Sequence, residues 1–366
     1  MGLLWVVPVG CSGDGLPEVV ARGDRVDVAP LGGGPVCAGS VRWFDHGLRE
    51  VEARLELPEE DRVTFYWGPD APTEYCPSGS FASGCAPSGE RVAFGNLDSF
   101  NHEMVHIAVD QVGETTALIE EGLAVYASGQ CWDVDSPRVL ATYVRPEEEA
   151  DRLSVPAIGG SFVAFLVETH GMSKLHELRA AVPRDADLSV FETAIRDVYG
   201  EPLEAVEERW HAGRVTHRCG PAFPRWPEAS VEYQYAPTSL ASTVDCGAAT
   251  TYGPIDPSVV YGNGFALEPL IPGMYTHHSL VVPQAARIVA ALDGPPGTKA
   301  HLVRASCWDL VAFDESLDPD LPDLAVITVH AGESMDLTLP GCIWDVFLVS
   351  DGDTPVDVTL NLRPSE

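Results

Sequence analysis

The chain has 366 residues, 45% of them hydrophobic and 21% charged, with a formal net charge of −33 at pH 7. That length accommodates two domains with separate cores, and the balance of apolar and charged residues excludes wholesale disorder. An acidic field of this size repels phosphate backbones and anionic lipid heads, so nucleic acid is excluded from the expected partners and the charge reads as a solvated surface.

Met1 to Gly10 (MGLLWVVPVG) is apolar and is followed by Cys11 and a Ser-Gly-Asp-Gly run. This resembles the tail of a bacterial lipoprotein signal, in which the cysteine, here Cys11, is lipidated. Two features depart from that pattern: no Lys or Arg precedes the apolar run, and Pro8 stands where Leu is usual. The competing expectation is a short apolar strand. No other apolar run approaches the ~20 residues of a membrane-spanning helix, so Cys11 is the expected route to a membrane.

Residues 12–36 are rich in Gly, Pro and Asp and read as a tether with one short strand near Arg25 to Val28. A helix is expected from Ser40, with Val41, Phe44, Leu48, Val51 and Leu55 at helical spacing. Val63 to Trp67 and Glu90 to Phe94 read as strands around a Gly/Ser/Pro loop from Cys76 to Gly89. From Ser99 to Arg218 the chain reads as mostly helical. Helices are expected over Ser99–Asp110, from Thr115 or Thr116 to Ser128 with Gly129 as its stop, and over Gly160–His170. Three more follow, one beginning at Ser173, one over Leu188–Tyr199, and a last one from Pro202 that includes Trp210. Residues 130–157 look irregular. After Cys219 a Pro- and aromatic-rich boundary leads to seven short strands: His278–Val282, Ala286–Leu292, Ala300–Ala305, Leu324–His330, Ser334–Leu339, Trp344–Val349 and Val356–Leu362. Short strands between turn signals predict a β-sandwich or jelly roll.

Nine cysteines are present, and setting Cys11 aside leaves eight without a CxxC pair, a pattern that suits disulfides in an oxidising compartment. The expected pairs are Cys76–Cys85, Cys307–Cys342, Cys37–Cys131 and Cys219–Cys246. The chain is therefore expected to be exported, to a bacterial cell envelope or the exterior.

Chemistry concentrates in Asn101-His102-Glu103-Met104-Val105-His106, which contains HExxH. On a helix, positions i and i+4 share a face, so His102 and His106 can bind one metal ion while Glu103 is offset toward a water beside it. Glu120-Glu121-Gly122-Leu123-Ala124 follows on its own helix and offers a third, carboxylate ligand from Glu120 or Glu121. Gly122 costs about 1 kcal/mol in a helix interior, which makes sense if the two ligand-bearing helices approach closely there. Other polar features read as bland. His277-His278 is expected to be a solvated loop pair, and His211, His217, His301 and His330 are read the same way. Asp314, Glu315, Asp318, Asp320 and Asp323 offer carboxylates to Ca2+ but lack the EF-hand pattern, so calcium is the weaker cofactor expectation.

HExxH followed by Glu-Gly-x-Ala resembles the gluzincins, the zinc peptidases related to thermolysin and the zinc aminopeptidases. Gly160-Ser161-Phe162 through Leu166, then His170-Gly171, and Phe191 to Trp210 are similar to its peptidase MA-like subgroup. The resemblance covers roughly residues 40–215 and implies a mostly helical thermolysin-like zinc-peptidase domain over 37–219. With the linker over 220–237 and the all-β sandwich accessory domain over 238–366 read from the strand pattern, the chain is expected to be α+β. The resemblance also implies one catalytic Zn2+ on His102, His106 and Glu121, Glu103 as general base, and a peptide or protein substrate. The Glu90–Phe94 strand, just before the HExxH helix, is expected to pair with that substrate by β-addition. Members often carry a Tyr before the "GSF" helix, where this chain has Val155-Pro156-Ala157-Ile158. Tyr143, Arg145 and His170 are the candidate replacements as transition-state stabiliser. The alternatives are an inactive zinc-containing surface-binding protein and a metallohydrolase of a non-peptide bond.

Overall fold

The computed structural model describes residues 16–32, 35–59, 61–68, 75–76, 84–110, 112–129, 140–145, 149–213, 230–254, 256, 270–307 and 326–365. The chain is α+β, with eight helices and three sheets among the described residues. Cys11 with the lipoprotein-like segment, Cys131, Cys219, His217 and the acidic run from Asp314 to Asp323 lie outside them.

The first sheet runs β1 (Ala21–Arg22), β2 (Val26–Pro30), β3 (Val63–Trp67), β5 (Val92–Gly95), β4 (Gly84–Cys85). Its three central strands are parallel, and β1 and β4 are antiparallel edges. Parallel neighbours need a crossover, and α1 (Ala38–Arg54) supplies it between β2 and β3. Its apolar stripe of Trp43, Phe44, Leu48 and Val51 is buried. Phe44 packs edge-on to Trp67 at 5.3 Å and against Phe65 at 5.1 Å and Phe100 at 4.7 Å.

The expected tether is therefore part of the sheet. Val26, Val28 and Ala29 are fully buried, and β2 is nailed to α1 by charge. Asp45 accepts from the N–H groups of Arg25 and Val26 at 2.8 Å each, and Arg25 forms a two-bond fork on Glu52 at 2.8 and 3.0 Å. The short strand expected near Arg25 to Val28 is thus present as β2, and what composition conceals is its place in the first sheet, held by side chains 19 to 27 positions away.

Then come α2 (Leu97–Asp110), α3 (Ala117–Ser128), α4 (Ala141–Val144), α5 (Glu149–His170), α6 (Met172–Ala181), α7 (Leu188–Tyr199) and α8 (Leu203–Gly213). Gly129 ends α3 in the left-handed conformation at φ 78°, as its place in the sequence predicts. The 130–157 stretch is not wholly irregular: α5 begins at Glu149 and runs through Pro156. Proline forfeits a ladder hydrogen bond there, and the loss is offset by burial of Val155, Ile158, Phe162 and Val163.

The carboxyl-terminal third is a two-sheet sandwich. One sheet has the order β11 (Val326–His330), β10 (Thr298–Cys307), β13 (Cys342–Ser350), β8 (Met274–Val281), β6 (Ser230–Glu232); the other has β12 (Ser334–Leu339), β9 (Ala286–Asp293), β14 (Val356–Pro364), β7 (Thr238–Val244). Thus the expected linker carries β6, and β7 adds a strand before the seven expected. Trp344, Val346 and Leu348 face the sandwich core, whereas Phe347 and Val349 of the same strand join Tyr252 and Tyr275 in the amino-terminal core. Burial on both faces explains the near-continuous apolar run in β13. His277 is likewise no solvated loop residue. It sits in β8, is 4% exposed, and bonds Asp345 through Nε2 at 2.9 Å. His278, next along, contacts Ser242 at 2.8 Å, and His301 is buried against Thr328 at 2.9 Å.

A disulfide joins Cys37 to Cys246, so the expected Cys37–Cys131 and Cys219–Cys246 pairs do not form. The cysteines meet because residues 246–253 lie along the start of α1, where Gly39 N–H donates to Thr251 and Cys37 N–H to Gly253. Cys76–Cys85 forms as expected, and the β10–β13 register sets Cys307 directly opposite Cys342. The bridges suit an oxidising compartment, and no described helix is long and apolar enough to cross a membrane.

The tightest helix contact is between α3 and α5. A Cβ on Gly122 would lie 2.5 Å from the Gly159 carbonyl, and one on Gly159 would lie 2.4 Å from the Leu118 carbonyl oxygen. The glycine beside the ligand thus serves the crossing with α5, not the approach to α2 that the sequence suggested. Ala is the better helix former by about 1 kcal/mol, yet Gly159→Ala is expected to destabilise by about 1–3 kcal/mol in urea unfolding. An unchanged or raised midpoint would refute the backbone contact.

Candidate metal centre

The HExxH helix starts earlier than its apolar pattern implies. Asn96 caps it, its side-chain oxygen accepting from Ser99 N–H at 3.0 Å. The buried stripe of Phe100, Met104, Val105 and Ala108 turns into the core. That leaves His102 and His106 on the opposite side, one turn apart, with ring centroids 5.0 Å from each other.

Glu121 reaches them from α3. His102 Nε2 lies 3.3 Å from Glu121 Oε2, and His106 Nε2 lies 3.7 Å from Oε1. Ligand atoms of all three residues fall within 4.8 Å of one another, so the group can hold a metal ion. Glu120, the rival ligand, is engaged elsewhere. It accepts from Thr115 N–H at 3.1 Å and faces Arg179 at 3.7 Å.

The electrostatics leave His106 and Glu121 in metal-binding form. Burial first, with the charge of His102, lowers His106 to about 4, so it is a neutral imidazole at pH 7. Burial alone would raise Glu121, but the hydrogen bond from His102 and the two imidazoles outweigh it and hold the carboxyl at about 2. Two imidazoles and one carboxylate are donors that suit a borderline cation, and three protein ligands leave a position open. Glu103 is 4% exposed, and burial, with Glu121 nearby, pushes its carboxyl up to about 7. A bound cation would draw that value back down.

The open side faces a cleft of about 480 Å3 lined by Gly84, Cys85, Ala86, Glu103, Glu121 and Arg145, among others. Gly84 is required on its rim: a Cβ there would meet Glu103 Oε1 at 2.8 Å and Ser99 Oγ at 2.6 Å. The edge strand β4 therefore lies directly over Glu103, braced by Cys76–Cys85. β5 is flanked by β3 and β4, so among the described residues the edge beside the site is β4 and not the expected Glu90–Phe94 strand.

Of the three candidate stabilisers only Arg145 lines the cleft. Tyr143 is 2% exposed in the hydrophobic core, and His170 packs on Tyr199 at 4.7 Å at the far end of α5. The cleft's carboxylates are largely engaged with their own surroundings. Asp110 accepts from Gly89 N–H, and Glu114 accepts from Ser88 Oγ and Arg184.

Arg179 is a supporting residue the sequence did not reveal. It is 3% exposed, and its guanidinium donates to the carbonyls of Val109 at 3.3 Å and Gly113 at 2.9 Å while facing Glu120. A cation at those carbonyls complements the C-terminal end of α2 and ties it to α3. Nothing in the local pattern around α6 distinguishes this arginine from its exposed neighbours; the signal is its burial.

No protein-family model and no curated protein matches the chain. Solved structures similar to it include the pre-peptidase C-terminal domain of collagenase from Bacillus anthracis, 10% identical over 37% of this chain and 97% of that one, at TM-score 0.22. PliG of Aeromonas hydrophila, a periplasmic inhibitor of g-type lysozyme, is 10% identical over 37% and 96%, at TM-score 0.19. An oxalate oxidase matches at 14% identity over 40% and 66%, at TM-score 0.16. None of these bears on the site.

Two outcomes test the centre. Glu121→Gln is expected to lower zinc affinity by about 10-fold or more in chelator competition, with Glu120→Gln near wild type. The reverse order would make Glu120 the ligand. At the start of α2, burial and the nearby charge of Asp256 push Asp98 up to about 7 from 3.8. Between those values the unfolded chain has released a proton that the fold still holds, so stability falls as pH rises. Asp98→Asn should therefore gain on wild type at about pH 8, with the gap closing below about pH 4. Urea unfolding at both pH values checks this, and a gap independent of pH would refute it.

Proposed function

We propose that the chain is a zinc-dependent peptidase of the gluzincin type, with His102, His106 and Glu121 as ligands and Glu103 as general base. The observation that carries this reading is the convergence of three ligand atoms within 4.8 Å beside a buried carboxylate, at the floor of an open cleft. A structural metal site has no use for that carboxylate or for the cleft.

Bound there, zinc would polarise a carbonyl and make a water acidic enough to deprotonate near neutral pH. Glu103 receives the proton of the attacking water at its carboxylate and returns it to the leaving amine nitrogen as the C–N bond breaks. The free edge of β4 holds an extended peptide above Glu103 by main-chain hydrogen bonds. Arg145, on the cleft wall, is a cation available to the developing oxyanion. Export, with or without a lipid on Cys11, is the setting this reading implies.

A second reading, a metal-holding surface-binding protein without turnover, is favoured by one observation: among the described residues no tyrosine lines the cleft. Cleavage of an unfolded protein mixture separates the two. Chelator-sensitive cleavage by wild type is expected, with Glu103→Gln keeping its zinc but losing about 100-fold or more in turnover. His106→Ala is expected to lose the zinc. A zinc-loaded wild type that cleaves nothing would support the second reading, and an undiminished Glu103→Gln would remove Glu103 from the chemistry.

A further inference from the structure

The helix that carries His102 and His106 is held at its first turn by a side chain from the far side of the chain. Asp256 is 1% exposed, and its Oδ2 accepts from the N–H of Leu97 at 3.0 Å and from Trp67 Nε1 at 2.8 Å. Leu97 opens α2 and Trp67 closes β3, so one carboxylate oxygen ties the helix to the sheet. The N–H groups of a helix's first turn have no partner within the helix, and an anion there also meets the positive end of its dipole. His102 follows Leu97 by little more than one turn. A shift of the first turn is therefore passed toward His102 within the same rigid helix, with Phe100 among the core contacts between them.

Asp256 is itself firmly placed. The strand-like stretch before it is stitched to α1 by the Cys37–Cys246 disulfide and by a reciprocal pair between Ser40 and Gly253, at 3.1 and 3.0 Å. Tyr252 then pairs with Tyr275 of β8 through two backbone hydrogen bonds of 2.8 Å each. The carboxylate thus stands at a fixed point between the sandwich and the first sheet.

We propose that Asp256 is a positioning residue of the metal centre. Through it, the carboxyl-terminal unit sets where α2 begins against β3 and hence where His102 stands relative to Glu121. This rests on reading His102, His106 and Glu121 as a metal centre.

The test uses the full chain and cobalt(II), whose visible absorption reports the geometry of its ligands, together with zinc affinity by chelator competition. Wild type is expected to bind one ion with a low-coordinate cobalt spectrum; failure at this step would overturn the centre itself, and Asp256 with it. Given binding, Asp256→Ala is expected to lose about 10-fold or more in affinity with an altered spectrum, and Asp256→Asn, which keeps an acceptor without its charge, to fall between. Ile288→Ala, a cavity in the sandwich core, lowers stability without touching α2 and is expected to keep wild-type affinity and spectrum. Wild-type binding and spectrum in Asp256→Asn, whether or not the alanine variant folds, would overturn the proposal. So would an equal loss in Ile288→Ala, which would mark the effect as one of general stability.

Discussion

Two helices bring three potential ligand atoms within 4.8 Å of one another, and the crossing that achieves this rests on close backbone contact. Consecutive helix residues lie about 100° apart around the axis, so Glu121 can face α2 while Gly122 faces α5. Because α3 rests on α5 backbone to backbone, with no side chain between Gly122 and Gly159, its height above α2 is fixed by atoms that cannot change rotamer. The glycines lower helix propensity locally, and in exchange the carboxylate of Glu121 arrives at 3.3 and 3.7 Å from the two imidazoles.

Charge buried around this crossing does the rest. Arg179 holds the C-terminal carbonyls of α2 and the turn into α3, while Asp256 holds the first N–H of α2. Both ends of the dipole are thus complemented by residues from other elements. The cost appears in Asp98 and Glu103, two carboxyls that burial raises to about 7. Perturbed carboxyls are common at functional sites, and of these two Glu103 lines the cleft.

What the sequence revealed followed how local each signal was. His102, His106 and Glu121 were legible because helical spacing alone places the first two, and a caps-to-stop reading ending at Gly129 frames the third. The sandwich strands were legible from alternation, as in β9, where buried and less buried positions alternate throughout. Three features were not legible, for one reason: their partners are remote. The burial of the expected short strand β2 within a sheet depends on Asp45 and Glu52, α5 tolerates Pro156 because its far side is buried, and His277 is dry because β8 is covered on both faces. Glu120 and Glu121 could be ranked only by resemblance, and the structure separates them by occupation, since Glu120 is already bound to Thr115 and faces Arg179.

The Cys37–Cys246 bridge spans 209 positions and carries a consequence for the order of assembly. A polypeptide made, or threaded through a translocation channel, from its amino end presents Cys37 long before Cys246 exists to meet it. β2, α1, the helix bearing the two histidines and the carboxylate helix can all collapse together in that interval. Their seam stays unlocked until the last third arrives, bringing both the thiol that closes the loop and the carboxylate that finishes the first turn of α2. Closure of that loop therefore waits for the last third of the chain.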